Sequence, residues 1–183
     1  QRHPVHRFDL DTHLLETVAE LADLAAGTDG ARRAALWEGL ADPDALVLAA
    51  ALHDVGKAWP GDHSRVGARV ARRWVAHMGF GRGCAGRVAR YVGLHLLLPD
   101  AATRRDPDDA AELATVGAAV GDRETLDGLY LLSLADARAT GPGAHSAWKD
   151  SLLATLHTRL GRLLGGEAVA SPDRAEELAV PPP

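Results

Sequence analysis

The 183-residue chain has a single cysteine, Cys84, and only 4% aromatic residues. One cysteine cannot form an internal disulfide, which agrees with a reducing compartment, and it excludes a four-cysteine zinc site. No uncharged run approaches the roughly 20 residues that cross a bilayer, and the N-terminus lacks an apolar signal core. We therefore expect a cytoplasmic protein with no membrane partner.

An excess of positive charge is also lacking, because 25 Asp and Glu outnumber 20 Lys and Arg and give a formal charge of −5. Such a chain has no general electrostatic attraction for nucleic acid, which is therefore not an expected partner. Hydrophobic residues make up 46% of the chain, so Leu, Ala and Val must fill the core in place of aromatic residues. That composition favours closely packed helices.

Helical spacing of apolar residues recurs along the chain, and no sustained period-two alternation predicts a sheet. In the helix predicted for residues 64–78, Val66, Val70 and Trp74 recur at helical spacing, with basic residues on the other face. Pro99 is expected to close a helix at residues 84–97, and residues 100–109 are expected to form a loop. The other predicted helices span residues 12–26, 43–55, 108–120, 122–139 and 145–164, with a short one around Trp37. The predicted fold class is all-α.

Ligand-type side chains interrupt apolar segments at two points. His53 and Asp54 follow the apolar run 45–52, and Asp136 follows the run 129–135. A buried carboxylate is costly without a cation or a hydrogen-bond partner, so each aspartate indicates a metal, with a salt bridge to Arg138 as the alternative for Asp136. Three further histidines belong to the same predicted set: His13, His63 and His95.

Imidazoles and carboxylates together form a mixed nitrogen and oxygen site for a divalent metal. This chemistry suits Mn, Fe, Co, Ni or Zn, and Mg also stays open. The two oxygens of Asp54 can bridge two ions, with His63 and His95 serving the second. His13, His53 and Asp136 would complete the first coordination sphere. Ions held in this way lower the pKa of water, so the set outlines a phosphohydrolase that needs no protein nucleophile.

The order of a histidine, a His-Asp pair and a distant aspartate resembles the HD superfamily of metal-dependent phosphohydrolases. Longer strings narrow the resemblance to the central domain of bacterial bifunctional PII uridylyltransferase/uridylyl-removing enzymes. They are DTHLLET at 11–17, LHDVGK at 52–57, GDHS at 61–64 and ADARATGP at 135–142. The resemblance implies an HD-domain helical bundle over residues 1–165, with a metal site in its core. Residues 166–183 would form a linker or tail leading to ACT domains.

The activity implied by the resemblance is removal of a nucleotidyl group from a modified tyrosine of the PII signalling protein. UMP is the expected product, and AMP is the alternative, because actinobacterial relatives can use it. In the full-length protein a nucleotidyltransferase domain would precede this one. Two other functions stay open: an HD hydrolase of free nucleotides, and a regulatory module with an impaired metal site.

Asp54 and Lys57 are the predicted catalytic residues, since Lys57 follows the His-Asp pair closely enough to reach a phosphate oxygen. Guanidinium and ammonium groups bind phosphodiester oxygens well. The predicted substrate-binding residues are Arg104, Arg105, Arg138 and Lys149. For Arg104 and Arg105, salt bridges to neighbouring aspartates are the alternative.

One departure from the family pattern concerns the second ion. The family commonly has two adjacent histidines where this chain reads Leu94-His95, so one ligand expected for the second metal is missing. The resemblance therefore supports the ion near His13, His53 and Asp136 more strongly than the ion near His63. One ion is expected, and the occupancy of the second depends on Leu94.

Overall fold

The structure, a computed structural model, describes residues 10–28, 30–104 (the Arg104 side chain excepted) and 109–166. Within these ranges the regular structure is entirely helical, which confirms the all-α prediction. The helices are α1 Leu10–Ala25, α2 Ala31–Glu38, α3 Pro43–Leu52, α4 His63–His77, α5 Arg82–Leu94, α6 Leu97–Arg104, α7 Ala110–Val120, α8 Arg123–Thr140 and α9 Ala147–Leu164, with a 3-10 helix at Val55–Ala58. None of the helices in these ranges is both long and apolar enough to cross a lipid bilayer.

Helices α3 and α8 occupy the centre of the bundle. The α3 side chains of Ala45, Leu46, Ala49 and Ala50 are completely buried, and this helix contacts α1, α4, α5 and α8. Small alanine side chains let the neighbouring helices approach α3 closely. Helix α8 also contacts α9, and α9 in turn contacts α6 and α7. The residues that directly follow the C-terminal end of α3 therefore lie in the protein interior.

Aspartate side chains fix the start of several helices. The Asp42 carboxylate accepts a hydrogen bond from the Ala45 backbone N–H, with Pro43 at the first helical position of α3. Asp122 likewise accepts from the Thr125 N–H at the start of α8. Both contacts satisfy backbone donors that lack a partner within the helix. Asp42 and Asp122 are therefore the N-caps of α3 and α8.

Two predicted boundaries around Pro99 are wrong. Helix α5 ends at Leu94 rather than at residue 97, and α6 begins at Leu97 and continues through Pro99 to Arg104. Residues 100–104 are thus helical, whereas the sequence predicts a loop there. Proline is tolerated in the first turn of a helix, because the N–H that it lacks would have no helical acceptor at that point. Pro99 therefore belongs to the start of α6 and does not terminate α5.

The helix predicted for residues 43–55 also ends early. Helix α3 stops at Leu52, and a 3-10 turn at Val55–Ala58 follows. Gly56 lies inside that turn, one position after the predicted end of the helix. A Cβ atom on Gly56 would lie 1.9 Å from the carbonyl oxygen of His63 and 2.7 Å from the Gly67 nitrogen. Glycine is required because the 3-10 turn packs directly against the first turn of α4.

The predicted domain limits are compatible with the helices but are not tested by them. Helix α9 ends at Leu164, next to the predicted boundary at residue 165. Residues 1–9 and most of the predicted tail, 167–183, lie outside the described residues. The division into a domain at 1–165 and a tail at 166–183 therefore stays a prediction.

Candidate metal centre

The six predicted ligands come from five different helices or their ends and lie together in the interior. His13 is on α1, and Asp136 is on α8. His53 and Asp54 directly follow α3, His95 directly follows α5, and His63 is the first residue of α4. The exposed fractions of His13, His53, Asp54 and His95 are all 2% or less. Such burial of four polar side chains in one place requires that they satisfy one another or a shared ion.

One group of ligand atoms surrounds the Nε2 atoms of His13 and His53, which are 3.2 Å apart. The Oδ1 atom of Asp136 lies 3.1 Å from the His13 Nε2 and 3.5 Å from the His53 Nε2. Asp54 also lies close to this pair, with its Oδ2 atom 3.7 Å from the His13 Nε2 and 3.6 Å from the His53 Nε2. Four side chains therefore direct nitrogen or oxygen atoms toward a common volume.

The second group uses the other oxygen of Asp54. Its Oδ1 atom lies 3.7 Å from the Nε2 atom of His63 and 3.7 Å from that of His95. The rings of His63 and His95 have their centroids 5.4 Å apart, and those of His53 and His95 are 5.2 Å apart. Asp54 thus faces one histidine pair with each oxygen, so this carboxylate could bridge two ions.

Backbone carbonyl groups orient two of the imidazoles. The Nδ1–H of His53 donates to the Ala50 carbonyl at 2.9 Å, and the Nδ1–H of His95 donates to the Val92 carbonyl at 2.7 Å. A carbonyl oxygen only accepts hydrogen bonds, so Nδ1 carries the proton in each neutral ring. The Nε2 lone pair of each ring is then directed at the centre, as in histidines that bind metals.

Sequence reasoning missed these two orienting groups, although a signal for them exists. Both histidines directly follow the last residue of a helix, and both bond the carbonyl three residues earlier. The carbonyl groups in the last turn of a helix receive no hydrogen bond from within that helix, so they are available to other donors. A histidine directly after a predicted helix end can therefore be expected to use one of them.

Burial and neighbouring charges shift the pKa values in the centre. Burial disfavours the charged form of Asp136, but hydrogen bonds from His13 and His53 hold the pKa of its carboxyl well below the usual range. Burial also disfavours the charged form of Asp54, but the charge of His53 and the hydrogen bond from Lys57 outweigh it and lower the pKa of this carboxyl. Burial and the nearby charge of His53 lower the pKa of His95 to about 4. At neutral pH the centre therefore contains two carboxylates and a neutral His95.

This donor set can hold a divalent metal ion. His13, His53 and Asp54 offer three ligand atoms that all lie within 4.8 Å of one another, and Asp54, His63 and His95 offer a second such group. Buried carboxylates require a positive charge, and neutral imidazole with carboxylate is the chemistry of Mn, Fe, Co, Ni and Zn sites. The residues present therefore fit the metal, and they do not identify which one.

Lys57 lies at the edge of the centre, on the 3-10 helix that follows the His-Asp pair. Its ammonium group donates a hydrogen bond to Oδ2 of Asp54, and its side chain is 24% exposed. The neighbouring His63 side chain is 29% exposed, in contrast to the enclosed His13 and His95. The Asp136 side chain is 21% exposed as well, so solvent reaches the centre at Lys57, at His63 and at Asp136.

Two of the four predicted substrate-binding side chains, those of Arg138 and Lys149, lie in the described part of the chain. Arg138, on α8, has Nη1 3.9 Å from Oε2 of Glu20 on α1. The Lys149 ammonium donates to the carbonyl groups of Gly143 and Ala144, at 3.0 and 3.1 Å, in the segment that precedes α9. Arg104 is the last residue of α6, and the Arg104 side chain and the whole of Arg105 lie outside the part of the chain that the structure describes.

The profile of the HD domain family matches residues 10–141, a span that includes all six candidate ligands. The chain therefore belongs to the HD domain family, a class of metal-dependent phosphohydrolases.

Bacterial bifunctional enzymes are similar to the chain over most of its length. The chain is 44% identical over 167 residues, 91% of its length, to the bifunctional uridylyltransferase/uridylyl-removing enzyme of Streptomyces coelicolor. It is 37% identical over 169 residues (92% of its length) to the enzyme of that name in Mycobacterium tuberculosis, and 37% identical over 183 residues (95%) to that of Phenylobacterium zucineum. The matched region is 19% of each relative, so the chain spans about one fifth of their length.

Proposed function

We propose that this domain is a metal-dependent phosphodiesterase that removes a nucleotidyl group, UMP or alternatively AMP, from modified PII signalling protein. The observation that carries the proposal is the position of Asp54 between two histidine pairs, with one oxygen directed at each. The relatives named uridylyl-removing enzymes support a nucleotidyl group as the part that leaves. The nucleotidylated protein is then the substrate, and unmodified PII is the product.

The metal ligands in this proposal are His13, His53, Asp54 and Asp136 for the first ion and His63 and His95, with Asp54, for the second. A divalent ion supplies Lewis acidity toward a phosphate oxygen and lowers the pKa of water. Asp54 stays ionised, because its lowered pKa prevents protonation near neutral pH, and it keeps the two halves of the centre aligned. The absence of a second histidine at Leu94 makes the second ion the weaker of the two.

Lys57 is the proposed contact to the phosphate group. Its ammonium already lies at Asp54 on a solvent-exposed side of the centre, so it can neutralise a non-bridging phosphate oxygen when the substrate enters. Arg104, Arg105, Arg138 and Lys149 stay candidates for further phosphodiester contacts. In the full-length protein we place a nucleotidyltransferase domain before this domain and ACT domains after it, and we expect the protein to be cytoplasmic.

The test is nucleotide release by the purified chain. Uridylylated PII, adenylylated PII and free nucleotides are supplied separately with Mn²⁺, and the products are separated by chromatography. We expect UMP or AMP from modified PII and no turnover of free nucleotides. Turnover of free nucleotides alone would overturn the proposal in favour of a nucleotide hydrolase.

A matched pair of variants tests the site itself. Asp54→Asn removes the carboxylate between the two histidine pairs. Asp127→Asn changes an aspartate outside the centre, whose partners are His157, at 2.6 Å, and Arg123, at 2.9 Å. We expect Asp54→Asn to lose both metal and nucleotide release, and Asp127→Asn to retain both. Equal metal content in the two variants would contradict the catalytic proposal and favour a regulatory module.

A further inference from the structure

Helix α4 carries an apolar face that the described residues cover only in part. Its buried side is formed by the small residues Ser64, Gly67, Ala71 and Val75. The larger residues that the sequence places at helical spacing, Val66, Val70 and Trp74, lie on a different side, and Trp74 is 46% exposed. The helix therefore carries a second apolar stripe that the core does not use.

This stripe lines a groove of about 620 Å³. The Trp59 and Trp74 rings meet edge to face in the groove, with centroids 6.5 Å apart, and Trp59 is 44% exposed. Val66 and Val70 line it between them. Of the six large apolar side chains exposed in the described part of the chain, four lie between residues 59 and 80: Trp59, Trp74, Met78 and Phe80. Such clustering is typical of an interaction surface rather than of scattered surface residues.

The charge of the groove is of one sign. Arg69, Arg73 and His77 line it together with the apolar residues, and no carboxylate does so among the described residues. Helix α4 contains four arginines and no acidic residue, although the chain as a whole has a formal charge of −5. A partner that fits this surface must therefore combine carboxylates with apolar side chains.

The groove is aligned with the metal centre. Residues 63, 66, 70, 74 and 77 are three or four positions apart, so they follow one stripe of α4 that begins at His63. From residue 63 to residue 77 the stripe rises through 14 positions, or about 21 Å at 1.5 Å per residue. A mononucleotide held at His63 cannot reach its far end, whereas a folded protein that presents its modified residue to the centre can.

We propose that this groove docks the protein that carries the nucleotidyl group, through an acidic and partly apolar segment near the modified residue. The inference rests on the proposed function, since it names the surface that holds the same substrate. Tryptophan and arginine are among the residues most enriched where protein interfaces concentrate their binding energy, and both line this groove. The groove sets affinity and orientation, and it takes no part in bond cleavage at the centre.

The test compares neighbouring arginines on the complete chain. Arg73→Glu and Trp74→Ala change the groove, whereas Arg72→Glu makes the same charge change at an exposed residue that does not line it. Binding of nucleotidylated PII is measured by calorimetry with turnover blocked by a chelator, and nucleotide release is measured after Mn²⁺ is restored. Thermal unfolding and metal content verify that each variant is folded.

We expect the two groove variants to weaken PII binding by about tenfold or more and to raise KM with little change in kcat. Arg72→Glu should stay within about twofold of the wild type. Equal affinities for Arg73→Glu and Arg72→Glu would overturn the docking proposal while leaving the proposed activity intact. A wild-type chain that binds PII through the groove but releases no nucleotide would overturn the activity and support docking.

Two further outcomes also decide the question. No measurable binding of PII by the wild-type chain would overturn the docking proposal. Light scattering gives the molecular mass of each variant, and a dimer that becomes a monomer in Arg73→Glu would assign the groove to a second copy of the chain, which overturns the proposal as well.

Discussion

The Nε2 atoms of His13 and His53 lie 3.2 Å apart, although 40 positions separate the two residues in the sequence. The Nδ1–H of His53 is committed to the Ala50 carbonyl, so its Nε2 presents a lone pair to His13 in the neutral ring. Asp136 adds a carboxylate oxygen within 3.5 Å of both nitrogens. A cation held between these atoms would satisfy all three, at the point where α1, α8 and the end of α3 converge.

Metal binding should weaken on acidification. Burial opposes a charge on His53, but the hydrogen bond and charge of Asp136 outweigh it and raise the His53 pKa above 6.5. A proton therefore occupies this ring in the metal-free chain up to a higher pH, and a metal must displace it. We expect affinity for the first ion to fall by about tenfold per pH unit below that pKa. The second-site ligand His95, with its pKa lowered to about 4, should stay neutral over this range.

Calorimetric titrations with Zn²⁺ in two buffers of different ionisation enthalpy measure the protons released. Release of about one proton per ion near neutral pH is the expected result. An affinity that is unchanged between pH 5.5 and 7.5 would show that His53 is not a ligand.

A histidine at position 94 should strengthen the second ion. Leu94 is the last residue of α5 and packs partly buried against the core, directly before the candidate ligand His95. Leu94→His restores the histidine pair that is common in the family, and we expect the measured metal content to rise from about one ion per chain toward two. Leu94→Met is the control, because it keeps the apolar volume without adding a ligand. An unchanged metal content in Leu94→His would mean that His63 and His95 do not support a second site.

Gly56 should be intolerant of any side chain. A Cβ atom there would meet the backbone of His63 and Gly67, which cannot move aside as a flexible side chain can. We expect Gly56→Ala to lower the free energy of unfolding by about 2–3 kcal/mol and to displace His63 from the centre. Gly86→Ala on α5 is the matched control, since nothing lies within 4 Å of a Cβ atom at that position. It should stabilise the chain by up to about 1 kcal/mol.

Urea denaturation of both glycine variants gives the two free energies. Equal free energies of unfolding for Gly56→Ala and Gly86→Ala would show that close packing does not require glycine at position 56.

The candidate ligands could be predicted because polar residues that interrupt apolar runs are informative. Asp54 and Asp136 each follow a segment that must be buried, so each needed a partner inside the protein. The distances that join them to His13 could not be predicted, since the packing of α1 against α3 and α8 determines those distances. Which of the two oxygens of Asp54 faces each histidine pair likewise depends on tertiary structure.

The exposed stripe of α4 shows where the sequence was ambiguous. Periodicity identifies Val66, Val70 and Trp74 as one face, but close packing against α5 buries the face with Gly67 and Ala71. Small residues permit the nearer approach of two helices, whereas hydropathy alone ranks tryptophan and valine as the more buried residues. The break between α5 and α6 escaped prediction for a related reason, because the apolar pattern continues across it.

The central claim is that His13, His53, Asp54 and Asp136 hold a divalent metal ion. The most direct test is an anomalous difference map, measured at the metal absorption edge, from crystals of the chain grown with Zn²⁺ or Mn²⁺. We predict a peak about 2.0–2.2 Å from the Nε2 atoms of both His13 and His53, with the Asp54 and Asp136 carboxylates completing its ligands. A map without a peak at these four residues, in crystals that contain the metal elsewhere, would contradict the account.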